Sequence, residues 1–188
     1  MTSDIDEIPK ARYIRALKSC QLPDPFPATL LKCDFYYYSF EFRQPSSPHW
    51  PAVSVAFYKP NEVIPSKIRH AKNSYQPAIG TCFHCSYCFD TVAAVRLKLS
   101  SFSHMELDIE RFRNPKHILD RYKHGKDLFD RSAQPFARLN LSKIEMPQLL
   151  LVESERDRFD YMWKRLSMDN IGFRDLDNYP NATLILNN

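Results

Sequence analysis

The run Leu30–Phe42, LLKCDFYYYSFEF, constrains the fold more than any other stretch. It is dense in aromatic residues and alternates imperfectly between apolar and polar, which predicts a β-strand. AVSVAFY at 52–58 is the clearest second strand, and a third runs from Ala78 toward Phe83. A Pro-rich turn, QPSSPHWP at 44–51, separates the first two.

Helix signals cluster later. PKARYIRALKS at 9–19 is the early exception, with Pro9 in the first turn and Asp6 and Glu7 where the helix dipole favours negative charge. Asp90 is expected to cap a helix through TVAAVRLKL. Asn114-Pro115 starts another, KHILDRYKH, with Gly125 as its C′ residue. A last helix is expected from Ser154 to Leu166, with Asp157 at the capping-box position. The tail YPNATLILNN reads as a short strand or as disordered. Strands early and helices late give an α/β or α+β class.

Composition excludes several function classes. Three Gly against fourteen Pro rule out a glycine-rich phosphate loop. The net charge of +4 is spread among interleaved acids and bases, with no basic block to track phosphates, so no nucleic-acid partner is expected. No stretch is long and apolar enough to span a bilayer. No signal peptide stands at the acidic N-terminus. A chain that truly starts at Met1 would be cytoplasmic. Two N-glycosylation sequons, Asn140-Leu141-Ser142 and Asn181-Ala182-Thr183, point instead to a lumen.

Four groups of residues could carry chemistry. In Asp4-Ile5-Asp6-Glu7, alternate residues of an extended segment would turn Asp4 and Asp6 toward one ion. Such carboxylates suit Mg²⁺ or Mn²⁺, which keep open positions for a substrate's phosphates. The bland alternative is a solvated acidic start to a helix. Cys82, His84, Cys85 and Cys88 have spacing compatible with zinc, with a disulfide or with buried thiols, while Cys20 and Cys33 stand apart. His104, followed by Glu106 and Asp108, could ligate a metal or serve acid–base chemistry. Asp127 and Asp130 follow the turn at Gly125, where they could instead cap or pair with Arg131. Trp50 and Tyr36-Tyr37-Tyr38 could stack on a sugar or simply form core and wall.

The order of these blocks is more specific than any one of them. SDIDEIP, DFYYYSFEF, a Trp-containing turn, HCSYCF, KLSSFSH, GKDLFDR, and MPQLLL with a following F-x-Y together resemble glycosyltransferase family 17 over residues 3–176, leaving 177–188 as a tail. That family includes the β-1,4-mannosyl-glycoprotein N-acetylglucosaminyltransferase that adds the bisecting GlcNAc to N-glycans. The resemblance implies a GT-A-like α/β fold, UDP-GlcNAc as donor, a glycan acceptor, a divalent metal (usually Mn²⁺) and inversion at the anomeric carbon. It carries metal and diphosphate binding to Asp4 and Asp6, with Glu7 assisting, and lets His84 or His104 complete the metal shell. The base that deprotonates the acceptor hydroxyl would be a carboxylate, with Glu106, Asp108, Asp127 and Asp130 as candidates. It also favours structural roles for Cys85 and Cys88 over zinc.

Family members carry a membrane anchor and a long stretch before the acidic motif, where here only Met1-Thr2-Ser3 stand. The expectation is therefore the C-terminal part of a Golgi enzyme, its nucleotide-binding strands and anchor absent and Asp4 and Asp6 on a frayed end. The alternatives are a catalytically inactive fragment that acts by protein interaction and a zinc-binding interaction module.

Overall fold

In the first of the chain's two units, Met1–Phe35 with Ser46–Cys85, alternation places apolar side chains on one sheet face. The computed structural model describes residues 1, 3–21, 28–44, 48–56, 68, 78–101, 104–132 and 134–186. The sequence-based α/β class holds, with a sheet and helices in one chain.

The first unit contains β1 (Glu7–Pro9), α1 (Ala11–Ser19), β4 (His49–Val55) and all but the last residues of β2 (Thr29–Tyr37) and β5 (Ala78–Ser86). Its strands follow the order β1–β5–β2, with β4 also on β2. β1 pairs antiparallel with β5, Glu7 opposite His84 and Pro9 opposite Cys82. β4 pairs antiparallel with β2, Trp50 opposite Cys33 and His49 opposite Asp34. Leu31, Cys33, Val53, Val55 and Cys82 form the buried core, and Tyr13 and Leu17 of α1 pack against it. Those two helix residues are four apart, one turn along a single face.

A disulfide joins Cys33 to Cys82 at the centre of that core. Cys85 and Cys88 are disulfide-bonded as well, and Cys20 is a free, exposed thiol. This corrects the zinc reading, because a sulfur in a disulfide is no thiolate ligand. It also corrects the isolation assigned to Cys33.

The acidic segment is not a helix start, nor is it unsupported. Ile5 and Asp6 form a turn closed by Glu7 N–H donating to the Asp4 carbonyl (3.1 Å), and Glu7 then enters β1. Pro9 ends that strand, and α1 begins at Ala11 after Lys10.

The second unit is Tyr36–Pro45 with Ser86–Asn188. The aromatic run does not continue as one strand through Phe42. Tyr38 adopts φ 66°, and the chain reverses so that Tyr37 lies opposite Ser39 of β3 (Ser39–Arg43). β3 pairs with the short β6 (Ala137–Arg138). Four helices follow among the described residues: α2 (Val92–Ser101), α3 (Glu110–Arg113), α4 (Pro115–His124) and α5 (Pro180–Thr183). The core combines Tyr38, Phe40, Phe42, Val95, Leu99, Ile118, Tyr122 and Phe173. Tyr38 and Tyr122 stack with centroids 3.8 Å apart.

Helix α4 follows its sequence signals. Asn114 caps it by accepting from Lys116 N–H, and Gly125 ends it in the left-handed conformation (φ 61°). A Cβ on Gly125 would collide with the Phe42 ring, so the glycine is required twice over. Helix α2 is capped differently than expected. Thr91 accepts from Ala94 N–H, and the Asp175 carboxylate accepts from Val92 and Ala93 N–H (2.8 and 3.0 Å). Asp90 instead pairs with Arg174.

The helix expected over 154–166 is replaced by short 3₁₀ turns at Gln148–Leu151, Glu153–Glu155, Asp160–Met162 and Arg165–Ser167. Tertiary bonds compete with the helix ladder here. The Arg174 guanidinium takes the carbonyls of Asp157 and Arg158, and the Glu41 carboxylate takes Leu166 N–H. The tail forms α5 rather than a strand, and Lys123 Nζ donates to the carbonyls of Ile185 and Leu186 beyond it. Among the described residues no helix is long and apolar enough to cross a membrane.

Candidate active site

Residues paired across neighbouring strands present their side chains on one sheet face. Glu7 and His84 are such a pair, so the register of β1 on β5 sets a carboxylate beside an imidazole. Asp6, at the end of the preceding turn, joins them, and its carbonyl accepts from Cys85 N–H. One ligand atom each from Asp6, Glu7 and His84 lie within 4.8 Å of one another.

Glu7 and His84 are buried, at 3% and 7% exposure, and Asp6 is half-buried. Glu7 Oε2 accepts from Asp4 N–H (2.8 Å), which fixes the carboxylate. Its other oxygen, Oε1, stands 3.8 Å from His84 Nδ1, an ion-pair distance but too long for a hydrogen bond. His84 Nδ1 is buried without a hydrogen bond among the described residues. A buried imidazole nitrogen facing carboxylate oxygens at that spacing matches the needs of a divalent cation, since two oxygens and one imidazole nitrogen suit a metal such as Mn²⁺.

The rest of this face is aromatic. The Phe35 ring meets the His84 ring edge-on, with centroids 5.0 Å apart. Trp50 lies 5.2 Å from Phe35 and 5.4 Å from His84. One step along the strands, Cys82 and Cys33 share the face and are covalently joined.

The structure separates the expected site residues into different settings. It brings Asp6, Glu7 and His84 together. It does not place Asp4 as expected, because the turn at Ile5-Asp6 breaks the extended alternation and leaves the Asp4 side chain exposed.

The acid–base candidates belong to the second unit. Asp127 is buried and saturated: it accepts from the N–H groups of Phe129 and Arg131 and holds the Arg131 guanidinium through Nε and Nη2 (both 2.9 Å). Those bonds push the Arg131 pKa upward. Asp130, at φ 56°, pairs with Arg111 and with Arg121 (2.8 Å). Asp108 faces Arg113 at 3.3 Å. Glu106 and His104 are both exposed and 2.8 Å apart. Hydrogen bonds, first to its own backbone and then to His104, hold the Glu106 carboxyl below its ordinary pKa. A separate cleft of about 370 Å³, lined by residues including Asn114, Lys116, Tyr179 and Asn181, has no carboxylate on its walls.

The family model of glycosyltransferase family 17 matches residues 1–163. The chain belongs to glycosyltransferase family 17. Neither a curated protein nor a solved structure matches the chain. Membership makes glycosyl transfer the general chemistry, and the matched residues include all three members of the Asp6–Glu7–His84 group. Sequence reading missed the Cys33–Cys82 pairing beside them. Two cysteines 49 positions apart carry no spacing signal, and only the register of β2 and β5 could reveal it.

Proposed function

We propose that this family 17 chain transfers N-acetylglucosamine from UDP-GlcNAc to a mannose of an N-glycan, in a β-1,4 linkage of the bisecting type. The transfer inverts the anomeric carbon and depends on a divalent metal, Mn²⁺ before Mg²⁺. The reading includes a GT-A-like fold. The observation that carries it is the Asp6–Glu7–His84 group, with Glu7 and His84 buried, whose imidazole favours Mn²⁺ over Mg²⁺.

Asp6, Glu7 and His84 would hold the cation. When bound, it supplies positive charge against a departing nucleoside diphosphate. The chain's own residues then have separate tasks. Glu7, fixed by Asp4 N–H, and His84, fixed by the Phe35 edge, keep their ligating atoms converged. Glu106 is the general base this reading prefers: its carboxylate is 67% exposed and carries no cationic clamp of the kind on Asp127 and Asp130. In this reading the Glu106 carboxylate takes the acceptor hydroxyl's proton, and His104, 2.8 Å away, orients it.

A Golgi-lumen location accompanies the reading. Disulfide bonding at Cys33, Cys82, Cys85 and Cys88 suits an oxidising compartment, and Asn140 of the first sequon is exposed. The deciding experiment is calorimetric titration of UDP-GlcNAc with Mn²⁺ and again with EDTA. Binding that requires Mn²⁺, followed by product formation on an N-glycan acceptor, is expected. Binding indifferent to EDTA removes the metal site from the reading. Metal-dependent binding with no transfer to any glycan would favour the inactive-fragment alternative.

A further inference from the structure

The sheet face that carries Glu7 and His84 ends in an indole. Trp50 is 42% exposed, on β4 opposite the disulfide-bonded Cys33. A single exposed tryptophan is common on protein surfaces and means little by itself. Its position carries the argument. The Trp50 ring centroid lies 5.4 Å from the His84 ring, tilted by 44°, and the contact still leaves the tryptophan 42% exposed. Phe35, buried at 8% exposure, backs both rings and fixes their spacing. A buried ligating group and a solvent-facing aromatic ring thus share one surface.

We infer that Trp50 is a stacking platform for a pyranose ring held beside the Asp6–Glu7–His84 group; this rests on the glycosyl-transfer reading above. The face of an indole is electron-rich. The C–H-bearing face of a pyranose is apolar and weakly positive, so it lies flat on such a ring while its hydroxyls point outward. A nucleobase would also stack, but it is separated from the metal-bound phosphates by a ribose, whereas a donor's sugar is attached directly to them. A platform one ring away from the ligating imidazole is at the sugar's distance. The pyranose can belong to the donor or to the acceptor glycan, since both meet where transfer occurs.

Trp50 is partly exposed, so Trp50→Ala should fold. Mn²⁺ affinity serves as the check, because Trp50 is no metal ligand. Calorimetry on the full chain would compare Mn²⁺, UDP with Mn²⁺ and UDP-GlcNAc with Mn²⁺, and acceptor KM would be measured with a mannose-terminated N-glycan. Trp50→Ala should leave Mn²⁺ and UDP binding within about twofold of the parent and weaken one sugar-bearing ligand about tenfold, with Trp50→Phe restoring most of the loss. A loss on UDP-GlcNAc assigns the platform to the donor, and a rise in acceptor KM assigns it to the acceptor. Equal loss on UDP and UDP-GlcNAc overturns the inference in favour of base stacking, and so does no change on any ligand. A parent chain that binds neither Mn²⁺ nor UDP-GlcNAc overturns the transferase reading itself, a different outcome seen before any variant is made.

Discussion

Both units bury charge, and two of their sites, Asp127 with Arg165 in the second and Glu7 with His84 in the first, treat it in opposite ways. In the second unit the chain itself answers the buried ions Asp127 and Arg165. Asp127 collects two backbone N–H groups and a two-pronged arginine. Arg165 is wholly buried and donates to the carbonyls of Tyr38, Phe89 and Ile171, with Tyr122 and Phe173 rings 5.0 Å from its guanidinium. In the first unit His84 Nδ1 is buried yet held 3.8 Å from Glu7 Oε1. Burying a polar atom short of a hydrogen bond costs free energy, so a fold that only needed stability would close the gap or replace the histidine. The saturated cluster reads as structure, and the open one is where the proposed function puts its cation.

The largest test of that contrast is Arg165→Ala. The substitution leaves three carbonyls without their donor and a cavity among aromatic rings, at roughly 1–3 kcal/mol for each orphaned group. A loss of about 4 kcal/mol or more in urea unfolding is expected, and Arg165→Lys should recover little, because an ammonium cannot reproduce the planar fork. Burial pulls the Arg165 pKa down to about 10, so the cation persists at neutral pH and the penalty applies there. A cost near 1 kcal/mol would mean that these carbonyls find water, and Arg165 would lose its standing as the saturated case.

Next is the covalent tie that the first unit has at its core. Opening the Cys33–Cys82 bond with a Cys33→Ser and Cys82→Ser double variant frees a loop of 49 residues, and chain-entropy reasoning gives about 4 kcal/mol. Unfolding followed by fluorescence should show that loss, while alkylation of the exposed Cys20 should show none. An unchanged midpoint in the double variant would place the unit's stability in the Leu31–Val53–Val55 packing instead.

Short-range chemistry was legible in the sequence, and long-range chemistry was not. Asn114-Pro115 and Gly125 mark helix α4 because capping is decided within a few residues. The order of the family blocks offered Asp4 and Asp6, with Glu7 assisting and either His84 or His104 to complete the set, and could not single out Asp6, Glu7 and His84, since nothing local connects an acidic turn to a histidine near position 84. The break at Tyr38 was hidden because a left-handed tyrosine has no sequence signal, and its cost is met by stacking on Tyr122 and by its hydroxyl donating to the Lys126 carbonyl. The 154–166 segment misled for a related reason. Its helical pattern is real, but Arg174 and Glu41, distant in sequence, take the groups a helix would have paired.

The smallest expected effect sharpens the comparison most. A D-x-D spacing treats Asp4 and Asp6 as equals, whereas the turn between them does not. Asp4 acts on the site through its backbone: its N–H donates to Glu7 Oε2 and its carbonyl accepts from Glu7 N–H. Asp4→Ala preserves both groups, so Mn²⁺ affinity should change by less than about twofold, against about tenfold or more for Asp6→Ala or His84→Ala. Asp4→Pro keeps the carbonyl and deletes the N–H. It should therefore weaken Mn²⁺ binding more than Asp4→Ala does, although both remove the same carboxylate. If the two Asp4 variants lose affinity equally and strongly, the carboxylate itself ligates and the turn must open to let it in. If only the proline variant loses affinity, Asp4 serves the site by holding Glu7, and the spacing that first drew attention to it reflects a turn rather than a pair of ligands.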